Sequence, residues 1–221
     1  MNNSGAALSK DEIEIRLNLP FENESKLVVT PLIDLDNQIH NSAIDLRLGN
    51  DFILFKRSRL SGIDPLVNAT KENLRLPPYE YQERYYVEIG SSIVLHPHQL
   101  ILGSSLEVIG IPGDIVAQVT SRSSWGRLGL VVATAIMIHP LYKGIITFEL
   151  ANYSDTPVFL YPGTRISQLI LFKTSMHKEP NKSAYMDSLY PDYSRIFEDY
   201  EWEIISKLNT TKSRGKFGSE K

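Results

Sequence analysis

LILGSSLEVIGIPGDIVAQVT, residues 100–120, sets the architecture. Leu100–Ile109 and Ile115–Thr120 are apolar and rich in β-branched residues, and Ile111-Pro112-Gly113-Asp114 between them is a turn signal. Two strands meeting at a tight turn are the local unit, and the same texture continues outward both ways. Upstream lie LVVTPLIDL, AIDLRLGNDFILF, YYVEI and SSIVLHPHQL. Downstream lie GLVVATAIMI, GIITFELANY, PVFLY and RISQLILF. Leu48-Gly49-Asn50 and Tyr161-Pro162-Gly163-Thr164 add further turns. Many short strands, with no βαβ alternation and no internal repeat, predict a mainly β barrel or jelly roll.

The flanks read differently. Residues 1–8 are small and polar and are expected to be disordered. Ser9-Lys10-Asp11-Glu12 fits a capping box and opens a short helix to about Leu17, stopped before Pro20. The β domain is expected over residues 9–173. Residues 174–221 form a C-terminal extension, loop-like at first, with a short amphipathic helix expected over 196–208 and a mobile basic end.

Composition narrows the function. With 221 residues and 42% hydrophobic content the chain can bury a sizeable core. Lys and Arg number 23 against 26 Asp and Glu, a net charge of −3, which provides no general attraction to nucleic acid or membrane. An anion must therefore be held by a local cluster. The absence of cysteine rules out disulfides, thiolate metal sites and cysteine nucleophiles. There is no signal-peptide pattern and no apolar run near the roughly 18–20 residues of a membrane span, so a soluble cytoplasmic protein is expected. Neither a GxxxxGK[ST] loop nor GxGxxG occurs.

Three stretches could carry chemistry. SRSSWGRLGL, 121–130, brings the guanidinium groups of Arg122 and Arg127 to one turn with the hydroxyls of Ser123 and Ser124, a combination suited to polyphosphate. On spacing alone, a solvated turn with a capped short helix explains it as well. In GIITFELANY, Ile145, Thr147 and Glu149 share one strand face, and a carboxylate among such apolar residues is either paired or used as a base. In TAIMIHPLYKG, His139 is a ligand, a base or a plain turn residue. His96 and His98 share a strand face around Pro97, without further ligands for a metal.

Together and in order, AIDLRLGNDF, LHPHQLILGSSLEVIGIPGDIVAQVTSRSSWGRLGL, TAIMIHPLYKG, ITFELANYS and YPGTRISQLILF resemble the dCTP deaminase family of the dUTPase superfamily, over about residues 8–173. The resemblance implies a β-barrel jelly roll, a homotrimer with sites between subunits, and zinc-free deamination of dCTP or a related deoxycytidine nucleotide. Glu149 is the implied general base, with Ser123 and Arg127 assisting. Arg122, Ser123, Ser124, Trp125, Gly126 and Arg127 would hold the triphosphate, and Mg²⁺ would arrive with it. The backbone of Thr134 and Ala135 would read the pyrimidine edge. Thr147 and Phe148 are counted among the substrate-binding residues, and Gln168 matches a family glutamine near the subunit interface. Tyr142 corresponds to an aromatic that packs on the deoxynucleoside, and Tyr185 stands near a lid tyrosine. The hairpin departs from the family's I-D-P-G-aromatic pattern: it reads Ile138-His139-Pro140-Leu141-Tyr142. The segment Leu128–Ala135 is also one residue short. Two alternatives stay open: a dUTP diphosphatase or bifunctional enzyme, which His139 in place of the family's aspartate opposes, and a non-catalytic deoxynucleotide sensor.

Overall fold

The computed structural model describes residues 5–57, 60–70, 77–133, 137–179 and 187–213. The chain divides into two compact units, Met1–Leu54 with Arg84–Asp192, and Phe55–Glu83 with Tyr193–Lys221. The second unit therefore takes an excursion out of the expected 9–173 domain and joins it to the C-terminal segment.

The first unit is mainly β, a curled antiparallel sheet of the barrel or jelly-roll kind. Its strands are β1 (Val28–Thr30), β2 (Ala43–Phe55), β3 (Gln82–Tyr86), β4 (Ile93–Leu95), β5 (Leu100–Gly110), β6 (Ile115–Ser121), β7 (Leu130–Val132), β8 (Met137–Ile138), β9 (Lys143–Asn152), β10 (Val158–Leu160) and β11 (Arg165–Lys173). The main path runs β7-β9-β5-β2-β11-β6-β8, with β1 on β5, and β10 pairs separately with β4. β5 and β6 follow each other through the Pro112-Gly113 turn as expected, yet are not neighbours in the sheet. The chain crosses over, and β2 and β11 lie between them.

Strand parity builds the core. Ile44, Leu46 and Leu48 of β2 point inward with Phe148 and Leu150 of β9 and Leu169 and Leu171 of β11, all fully buried. The N-terminal helix α1 (Lys10–Asn18) forms as the capping box predicts, Ser9 and Glu12 bonding reciprocally. Arg16 then grips Asp114 in the β5–β6 turn with two hydrogen bonds of 2.9 and 2.6 Å.

Four expectations need correction. Residues 5–8 are ordered against β11: Gly5 and Leu8 donate to the carbonyls of Lys173 and Leu171, and Leu8 is fully buried. An apolar side chain that fills the core outweighs the polar look of its neighbours. LVVTPLIDL is a strand only over β1. Pro31 cannot donate to a ladder, and Asp34 caps a short helix, α2 (Leu35–Gln38). His96 and His98 lie in the turn after β4, where Gln99 N–H donates to the His96 carbonyl and His98 has a φ of 59°. Fourth, the helix expected over 196–208 is a short 3₁₀ turn at Ile196–Glu198 followed by α5 (Glu201–Ser213). In the second unit α5 packs against α3 (Pro65–Thr70), which the sequence reading left out. Among the described residues no helix is long and apolar enough to cross a membrane.

A second polar feature lies inside the sheet. Glu107 of β5 is fully buried at a register shift between Ser104 and Val108. Its carboxylate accepts from the Gln38 amide at 2.7 Å and from the Arg47 backbone N–H at 2.9 Å. Burial outweighs these bonds and pushes the carboxyl up from 4.5 to about 7. The folded chain therefore holds this proton more tightly than the unfolded chain. Stability is greatest below the unfolded pKa and falls as pH rises through about 7, by about 3 kcal/mol in total. Denaturant titrations between pH 4.5 and 8 should show this slope in the wild type and lose it in Glu107→Gln. An unchanged slope in the variant would assign the titration to another group.

Candidate active site

β6 ends at Ser121, and the chain turns at once into α4 (Ser123–Gly126), a single helical turn. Arg122 is its N-cap, with extended backbone and no side-chain cap bond. Gly129 closes the turn at a φ of +85°, and a Cβ there would meet the Cβ of Ser154 at 2.6 Å. Only glycine suits both the conformation and the close approach. The next residues form β7 beside β9, with Leu130 opposite Asn152 and Val132 opposite Leu150.

The side chains of this stretch divide by exposure. Ser123, Ser124 and Arg127 are exposed, while Trp125 lies half-buried against the core with its indole N–H on the Arg165 carbonyl at 2.8 Å. Arg122 is held from two sides: Nε stands 3.3 Å from Asp45, and Nη1 donates to the Arg165 carbonyl at 3.2 Å. Asp45, on β2, is fully buried. Its Oδ2 also faces Arg165 Nη1 at 3.3 Å and His40 Nε2 at 3.1 Å, and its Oδ1 accepts from Gln168 at 3.0 Å. The register explains the meeting. Gln168 of β11 lies opposite both Asp45 of β2 and Thr120 of β6, so Arg122 follows in the same row. The sequence reading assigned no role to Asp45, Arg165 or His40. The available signal was an acidic residue within the apolar run AIDLRL, which must find partners if buried.

Glu149 lies on β9 between Leu102 of β5 and the backbone of Ala133, whose N–H donates to the Glu149 carbonyl at 2.8 Å. Parity turns Glu149 and Thr147 outward and buries Phe148 and Leu150. Partial burial raises the Glu149 pKa, a direction that suits a base. Ile145, expected on the Glu149 face, is buried as well, because the β5–β9 register shifts between Ser104 and Val108. Phe148 is fully enclosed, so only its backbone is open to a ligand. Gln168 is engaged by Asp45. Thr134, Ala135 and Tyr185 lie outside the described residues.

The hairpin between β8 and β9 carries the departure from the family pattern. His139 is exposed, and its carbonyl accepts from Tyr142 N–H at 3.3 Å across Pro140 and Leu141. Tyr142 packs its ring on the core and donates its hydroxyl to the Ile145 carbonyl. Burial, with Asp192 and Asp187 nearby, pushes that phenol up to about 12.

A family model described as dCTP deaminase-like matches residues 8–174, which take in most of the first unit and the 55–83 segment of the second. The chain belongs to the dCTP deaminase-like family. As a member of that family it is an enzyme of the hydrolytic deaminase type. A protein of Dictyoglomus turgidum named "dCTP deaminase, dUMP-forming" is 43% identical over 86% of this chain and 90% of its own length. One of Natronomonas pharaonis named "dCTP deaminase" is 39% identical over 88% of this chain and 97% of its own. Among solved structures, the 2'-deoxycytidine 5'-triphosphate deaminase of Agrobacterium tumefaciens superposes with a TM-score of 0.56 at 22% identity. That match spans 78% of this chain and about half (49%) of the solved one, and it supports the shared fold.

Within this deaminase-like hairpin, Leu141 has a φ of +64° at the third position of a turn led by Pro140. A type II turn needs positive φ there, which costs a branched L-residue about 1–2 kcal/mol. Glycine removes that cost and adds about 0.5–1 kcal/mol of unfolded-state entropy. Leu141→Gly should therefore stabilise the protein by roughly 0.5–1 kcal/mol, measured as a higher denaturation midpoint at an unchanged m-value. A lower midpoint would mean that the leucine side chain contributes packing larger than the strain.

Proposed function

We propose that this enzyme deaminates dCTP at C4 of cytosine by a zinc-free route with Glu149 as general base. The observation that carries the reading is Glu149 itself, an outward carboxylate on β9 just beyond its pairing with β7, whose proton affinity partial burial has raised. It belongs to a chain whose relatives at 39–43% identity are named dCTP deaminases.

In this mechanism Glu149 takes a proton from water as the oxygen bonds to C4. The tetrahedral carbon then expels its amino nitrogen as ammonia, with the proton returned from Glu149. The balance is dCTP and water to dUTP and ammonia. Ser123 and Arg127 orient the water and stabilise the developing charge. Arg122 and Ser124, with the backbone of Trp125 and Gly126, hold the triphosphate. The backbone of Thr134 and Ala135 reads the base edge. Thr147 lies beside the base, and His139, Tyr142 and Tyr185 border the sugar and lid side. Gln168 lies toward a subunit interface in a homotrimer. Mg²⁺ enters chelated by the triphosphate.

A second reading has one observation in its favour. The relative at 43% identity is named dUMP-forming, so release of pyrophosphate could follow deamination. His139, at the position where the family pattern has an aspartate, weighs toward deamination alone.

Incubation with dCTP and Mg²⁺, with ammonia and nucleotides separated by chromatography, tests both. The expected products are ammonia and dUTP. Glu149→Gln should slow ammonia release by about 10²–10⁴-fold while still binding dCTP. Because the base must be ionised, the wild-type rate should rise with pH through a pKa above the ordinary 4.5. Equal ammonia release by both proteins would overturn the assignment of Glu149. Appearance of dUMP with pyrophosphate would establish the bifunctional reading, and tight binding without product would leave a nucleotide sensor.

A further inference from the structure

We propose that Asp45 is the positioning residue of the phosphate cradle, presetting the Arg122 guanidinium for a polyphosphate. This rests on the reading of Arg122 as a phosphate ligand. The geometry is specific. Nε of Arg122 stands 3.3 Å from Asp45 Oδ2 in an ion pair, and Nη1 donates to the Arg165 carbonyl at 3.2 Å. One guanidinium N–H donor is bonded to the protein and the Nε side is held by the Asp45 charge, which leaves the remaining donors for an anion. The Arg122 side chain is 26% exposed, so its free edge reaches solvent while its inner edge is fixed.

The charge balance points the same way. One fully buried carboxylate faces Arg122, Arg165 and His40, and Gln168 fills its remaining oxygen. Positive charge exceeds negative at this point, and the exposed Arg127 adds to it one helical turn further on. A chain with net charge −3 has assembled a local cationic field beside α4. A buried ion pair is weak grounds for stability. Fixing a long side chain before the ligand arrives is a sound ground for affinity, because its rotamer entropy is not lost on binding.

Titration calorimetry on the full chain tests this with Mg²⁺-dCTP, dCMP and inorganic tripolyphosphate. The proteins compared are wild type, Asp45→Asn, Arg122→Ala and the double variant. Asp45→Asn should weaken dCTP and tripolyphosphate about 10- to 100-fold, as expected for one charge-assisted contact. It should affect dCMP much less. The double variant should bind no more weakly than Arg122→Ala alone. In turnover, Asp45→Asn should raise KM for dCTP far more than it lowers kcat. Wild-type affinity for tripolyphosphate in Asp45→Asn, or full additivity in the double variant, would overturn the proposal. Should Asp45→Asn fail to fold, Arg122→Lys takes its place. It keeps the charge without the anchored fork and is expected to bind tripolyphosphate as weakly as Arg122→Ala. Wild-type affinity in Arg122→Lys would overturn the proposal. Wild type that binds dCTP and releases no ammonia would refute the deaminase reading and leave the anchor standing. Wild type that binds neither dCTP nor tripolyphosphate would overturn the anchor.

Discussion

A carboxylate with no exposed surface must be matched inside the protein, and Asp45 is matched by four groups from three places in the chain. Arg122 comes from the end of β6, Arg165 and Gln168 from β11, and His40 from the loop before β2. Parity makes this unavoidable. Ile44, Leu46 and Leu48 claim the apolar face of β2, which sends Asp45 to the opposite face. That face is closed by the neighbouring strands rather than by water. Losing any one partner would leave the buried charge short of a match, so β2, β11 and β6 are held in register by one side chain. The turn into α4 begins where that row ends, which ties the geometry of the candidate phosphate cradle to the packing of the sheet.

Among the described residues of the first unit, two carboxylates are fully buried, Asp45 and Glu107, and their partners differ. Asp45 is surrounded by cationic groups. Glu107 receives an amide and a backbone N–H, with Arg47 as its one cation, and burial dominates to bring its carboxyl to about 7. Arg47 divides its own guanidinium between Gln38 and the Gly163 carbonyl, so little of its charge is directed at Glu107. Two fully buried acids thus meet different partners: one is given charges and the other mainly dipoles.

Much of the fold was legible because it rests on local rules. The capping box at Ser9, the turn at Pro112-Gly113 and the alternation of Thr147, Phe148, Glu149 and Leu150 are read within a few residues of each other, and each formed as expected. The family was legible by the order of its motifs. The remainder depends on distance in the sequence. Gln168 is 123 residues from Asp45 and Arg165 is 120, so no window along the chain could pair them. The burial of Leu8 depends on β11 lying beside it, and the second unit joins segments separated by more than 100 positions. Even α2 needed knowledge that Pro31 would end β1 so early.

The hairpin shows how a local departure and a global constraint meet. Its turn keeps the positive φ that glycine would supply, although leucine occupies the position. The conformation is imposed from both sides. β8 is paired to β6 and β9 to β5, and Gly144 approaches Ser188 so closely that a Cβ would lie 2.8 Å from its carbonyl oxygen. With both strands fixed, the four-residue turn has few conformations available, and Leu141 accepts the strain. His139 is presented at the surface by that same imposed turn, so its side chain can change without altering the backbone path. Variation in chemistry at position 139 is therefore separable from the fold, whereas variation at Asp45 is not.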